Sequence, residues 1–69
     1  MVEASRFMTL LTEALARANR RGGAVRIEQL DEGWETSIAV DRRRVSIARD
    51  EYLETALMRL NAHAAARER

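Results

Sequence analysis

Every basic residue in the 69-residue chain is an arginine, and the 12 of them are not evenly spread. Arg20-Arg21 close the first amphipathic stretch, and Arg42-Arg43-Arg44 fall between two runs of alternating hydrophobicity. A guanidinium is a planar fork that matches carboxylate or phosphate oxygens two at a time, so the chemistry these clusters offer is anion recognition. Solvated turns and helix ends also favour basic residues, and GC-rich coding favours arginine. Clustering alone therefore leaves a binding patch and a solvated surface both open.

The side chains that could make or break bonds are scattered. His63 is the sole histidine, and Arg59 and Arg67, four residues away on either side, carry the wrong sign to orient it as a base or a ligand. Asp50, Glu51 and Glu54 suit a helix start, and Asp31 and Glu32 suit a turn. Acid–base catalysis instead needs two carboxylates held in a pocket with separated pKa values. Gly22-Gly23 follows a helical pattern, whereas a phosphate-cradling loop joins a strand to a helix. There is no cysteine for a disulfide or a thiolate metal site. The expectation is a protein that is not an enzyme and uses neither cofactor nor metal.

Two kinds of periodicity say what positions these residues. Phe7, Leu10, Leu11, Ala14, Leu15 and Ala18 recur at spacings of three and four, predicting a helix over 5–21 with Ser5 as N-cap and Gly22-Gly23 as its stop. Between residues 24 and 48 the period becomes two, predicting strands over 24–30, 34–40 and 44–48. Val25, Ile27, Trp34, Thr36, Ile38, Val40, Val45 and Ile47 are expected on the inner face. Arg26, Glu28, Glu35, Ser37, Ala39, Arg44, Ser46 and Ala48 are expected on an outer, solvated face. Asp31-Glu32-Gly33 and Asp41-Arg42-Arg43 read as tight turns, and links this short allow only an antiparallel meander. Leu53, Ala56, Leu57, Leu60 and Ala64 predict a second helix over 50–66, capped by Asp50 and fraying at its end.

Together these elements predict one small α+β domain over residues 1–69. It would be a two-layer α-β-β-β-α arrangement with both helices on one face of a three-stranded antiparallel meander. A chain this short buries only about 60% of the surface exposed when unfolded, so a homodimer interface is a natural supplement to its core. No signal-peptide pattern opens the sequence, and no apolar run reaches the roughly 18 residues needed to span a bilayer. A cytoplasmic protein with no membrane partner is expected.

The layout resembles that of double-stranded-RNA-binding domains over nearly the whole chain. That family carries a Gly-Pro-x-His stretch in its RNA-binding turn and lysines at the start of its second helix. This chain has Asp31-Glu32-Gly33 and Asp50-Glu51 at those places, so the likeness is one of element order. HicA-type toxins are similar in layout too, but their catalytic histidine on the first hairpin has no counterpart here. Val45 to Leu60 resembles part of a ribbon-helix-helix reader, without the second helix that motif requires.

The expected function is protein binding by a regulatory, adaptor or inhibitor-like module. Arg20, Arg21, Arg42, Arg43 and Arg44 would share one edge of the sheet, with Trp34 as an anchor, since Trp and Arg dominate interface energetics. The alternative is a nucleic-acid binder using the same arginines. The formal net charge of +1 argues against a broad non-specific footprint. Met58, Ala62, Ala65 and Ala66 form an uncharged strip on the last helix, a second candidate surface, and self-association could run through it or through an exposed edge strand.

Overall fold

The computed structural model describes residues 2–68. Its elements run α1 (Val2–Arg20), β1 (Ala24–Leu30), β2 (Gly33–Val40), β3 (Arg43–Asp50) and α2 (Leu53–Arg67). The strands form an antiparallel sheet in the order β1-β2-β3. Helix α1 lies against β1 and β2, α2 lies against β2 and β3, and the two helices touch. Ala14 and Ala18 of α1, Ile38 and Ala48 of the sheet, and Leu57, Leu60 and Ala64 of α2 make one buried cluster. This is the expected α+β layering. Among the described residues, no helix is long and apolar enough to cross a membrane.

Helix α1 ends because Gly22 takes a left-handed φ of +69°. That turn lets the Gly23 N–H reach back at 2.9 Å to the Ala18 carbonyl, which also accepts the Arg21 N–H at 3.0 Å. Gly23 itself lies on the carbonyl oxygen of Ala39, where a β-carbon has no room. The end of α1 is thereby pressed against the last residues of β2.

Both hairpin turns are shorter than expected. Leu30 pairs with Gly33 and Val40 with Arg43, leaving two residues in each loop. Asp41 (φ 52°) and Arg42 (φ 67°) are both left-handed, the type I′ geometry that matches strand twist and ordinarily selects Asn-Gly.

Strand β3 departs most from expectation. Ile38 pairs with Ser46 while Ala39 pairs with Arg44, so Val45 is an extra, unpaired residue at a β-bulge. Beyond it the alternation is inverted. Ser46 and Ala48, expected outside, are buried under α2, and Ile47, expected inside, stands 40% exposed on the open face beside Ser37. Val45 still packs on the core from within the bulge. Two further residues of the expected core are also exposed. Leu15 falls on the flank of α1, and Ile27 faces the helices but sits on the edge strand.

Helix limits shift as well. Helix α1 begins at Val2, ahead of the expected cap Ser5, whose side chain lies outside the described residues. Asp50 ends β3 rather than capping α2, and its Oδ1 accepts the Tyr52 N–H at 3.0 Å. Helix α2 runs to Arg67, one residue past the expected 66, and Glu68 beyond it pairs with Arg17 at 2.6 Å; Arg69 lies outside the described residues.

Buried polar groups bolt the layers together. Thr36, fully buried at the sheet centre, places its hydroxyl 2.9 Å from the Ala56 carbonyl of α2 and 3.3 Å from that of Ala48. The Asn61 amide donates to the Leu10 carbonyl of α1 at 3.1 Å. Thr36→Val keeps the shape and deletes the donor, so it should lower unfolding free energy by about 1–2 kcal/mol in a urea titration. An unchanged midpoint would mean the sheet-to-α2 hydrogen bond contributes nothing net.

Candidate functional site: the arginine end and the open face

The contact of Gly23 with Ala39 and Val40 sets the C-terminal end of α1 beside the β2–β3 turn, at one end of the sheet. The five arginines expected there do not act as one group. Arg21, Arg42 and Arg43 are exposed and, among the described residues, have no ion-pair partner. Arg20 lies 3.6 Å from Glu68, a loose surface pair. Arg44 points away onto the open face, where it binds Glu35 at 2.6 Å.

Trp34 is half-buried at the opposite end, opposite Asp50 on β3. It borders a shallow depression of about 250 Å³ with Leu30, Glu32, Arg49, Asp50 and Glu51. The span of β2 between Trp34 and Val40 is roughly 20 Å at 3.4 Å per residue. Trp34 and the arginine turn thus stand at opposite ends of β2. On α2, Met58, Ala62 and Ala66 are exposed and Ala65 is half-buried, with Arg6 of α1 lying over the Met58 sulfur at 3.8 Å.

The open face is not the evenly solvated surface expected. Glu35 and Ser37, in the middle strand, are buried although no layer covers them. Their cover comes from long side chains on β3. Arg49, directly across from Glu35, donates Nε–H at 2.7 Å, and Arg44, registered opposite Ala39, reaches over the Ser37 position to the other carboxylate oxygen. The Arg49 hydrogen bond holds the Glu35 carboxyl below the usual carboxylate range against the opposing effect of burial. The charges of Arg49, Arg44 and Arg26 push the same way. Glu28 on β1 stands directly opposite Glu35, a like-charge neighbour, and has no ion pair among the described residues.

His63, unassigned by sequence pattern, has a structural task. Its Nδ1 lies 3.1 Å from the Ile47 carbonyl at the outer edge of β3. No residue spacing announced this contact, because the bulge decides which carbonyl faces α2. His63, Ser46, Ile47 and Arg67 line a cleft of about 290 Å³ together with Arg44 and Val45. The buried Ser46 hydroxyl has no hydrogen-bond partner among the described residues, His63 included. Among the described residues no group of three or more His, Cys, Asp or Glu side chains is placed to hold a metal ion.

The geometry thus presents a basic end where Arg21, Arg42 and Arg43 have no ion pair among the described residues, and an open face built on a clamped glutamate. No protein-family model, curated protein or solved structure matches this chain.

Because the folded carboxyl of Glu35 is depressed, its stabilising contribution is complete above the ordinary carboxylate value of about 4.3 and is lost as pH falls through the folded value. Glu35→Gln should therefore flatten the acid limb of stability against pH, measured by urea unfolding from about pH 6 downward. An acid limb identical to wild type would show that the clamp contributes nothing.

Proposed function

We propose that the chain is a non-enzymatic binding module of the cytoplasm, regulatory or adaptor-like, that docks an acidic segment of a partner protein on Arg21, Arg42 and Arg43. The observation that carries this reading is the conformation of Arg42. A non-glycine residue at φ 67° costs about 1 kcal/mol in a turn that glycine would fill without strain. The strained residue is an arginine that makes no ion pair within the described residues, and it sits beside Arg43, which makes none either. Strain held at an exposed, unpaired cation is the pattern of a recognition residue. Carboxylates are the favoured target because the arginine end is small and the overall charge is only +1, too little to track a phosphate backbone.

The test pairs stability with binding. Arg42→Gly should raise unfolding free energy by about 0.5–1 kcal/mol while weakening capture of a labelled deca-glutamate peptide several-fold. Arg42→Glu combined with Arg43→Glu should abolish capture. A short DNA duplex titrated at low and physiological salt supplies the competing outcome. Duplex binding that salt abolishes, with a log–log slope near the number of arginines engaged, would transfer these residues to nucleic-acid recognition. Peptide capture indifferent to Arg42 and Arg43 would end the proposal.

A further inference from the structure

The two edges of the sheet are treated differently. On β3, the bulge at Val45 breaks the edge and His63 occupies the Ile47 carbonyl. Strand β1 has neither device: its pairing with β2 runs without a shift from Ala24 to Leu30, and it contains no proline.

The turn geometry says which backbone groups β1 leaves unused. Val40 and Arg43 close a two-residue turn and exchange both backbone hydrogen bonds. Alternation along β2 then directs Gly33, Glu35, Ser37 and Ala39 toward β1, so their partners Leu30, Glu28, Arg26 and Ala24 are satisfied. The N–H and C=O groups of Val25, Ile27 and Gln29 point out of the free edge.

The side chains around that edge are apolar on one face and charged on the other. Ile27 is 40% exposed on the helix face. Arg6, Leu10 and Arg17 of α1 meet α2, which turns Met8 and Leu15 toward the opposite flank, above the β1 edge; they are 55% and 45% exposed. On the open face, Arg26 and Glu28 are two residues apart, and neither has an ion pair within the described residues.

We propose that the free edge of β1 pairs antiparallel with β1 of a second copy of this chain, about a two-fold axis through Ile27. In that register Val25 faces Gln29 of the second copy and Ile27 faces its own equivalent, so every unused backbone group finds a partner, about six hydrogen bonds in all. Arg26 stands opposite Glu28 of the second copy, and Glu28 opposite Arg26. The glutamate that confronts Glu35 in its own chain thereby gains a cation. Met8 and Leu15 of both copies close over the paired Ile27 side chains. This assembly does not depend on the arginine end, which stays accessible at the far end of each sheet.

Sedimentation velocity over a concentration series tests it. Wild type should be a dimer. Reversing one charge, Arg26→Glu or Glu28→Arg, sets like charges opposite each other twice by symmetry and should raise Kd about tenfold. The double exchange, Arg26→Glu with Glu28→Arg, should recover wild-type affinity to within about threefold, because only this register re-pairs the swapped charges. Ile27→Glu, at an already exposed position, should give a monomer with an unchanged circular dichroism spectrum. A wild type that stays monomeric at about 0.5 mM would overturn the proposal. So would a dimer indifferent to Ile27→Glu, a double exchange that fails to recover, or a dimer dissociated by Met58→Glu on α2 instead.

Discussion

One additional residue in β3 decides what the helices rest on. With Val45 set aside at the bulge, Ser46 and Ala48 come under α2, and both are small enough to let the helix approach closely. That approach brings the Ala56 carbonyl within reach of the Thr36 hydroxyl. The same inversion carries Arg49 and Ile47 to the open face, where Arg49 can clamp Glu35. Without the bulge, Ile47 would be wedged between sheet and helix, and the arginine facing Glu35 would be lost. The packing of one face and the electrostatics of the other have a single cause.

The core beneath the helices is rich in alanine, with Ile38, Leu57 and Leu60 as its large fully buried apolar side chains. Alanine contributes little apolar area per residue, so hydrophobic burial alone specifies the helix positions weakly. Directional contacts supply the missing specificity: Thr36 to α2, Asn61 to α1, and Glu68 to Arg17 at the paired ends of both helices. The buried Oδ1 of Asn61 has no hydrogen-bond partner among the described residues, a cost set against the bond its amide donates to Leu10.

The helices and the meander were legible because each rests on a period that many residues repeat. The stripe Leu53, Ala56, Leu57, Leu60 and Ala64 lies on the core side of α2, and the glycine stop after Arg21 is where α1 ends. The face of β3 was not legible, because parity counting assumes unbroken alternation and one residue inverts it. Val45 and Ile47 looked like a matched inward pair, and the small residues between them looked like surface. The arginine end could be placed from topology alone, since short turns leave no other arrangement. Its internal division could not. That Arg44 turns to Glu35 while Arg42 and Arg43 have no ion pair among the described residues depends on a left-handed turn, and Asp41-Arg42 lacks the Asn-Gly signature that announces one.

The contact between His63 and the Ile47 carbonyl has a consequence for the limits of assembly. A sheet with two open margins can add strands at both and grow without end, as fibres do. Here the β3 margin is broken by a bulge and has His63 against one of its carbonyls, while β1 runs without a shift, so the two margins differ in how readily they would accept a strand. Under the proposed β1 pairing, growth would terminate at the first addition. The bulge at Val45 and the imidazole at the rim of α2 both lie on the margin that this pairing leaves outermost.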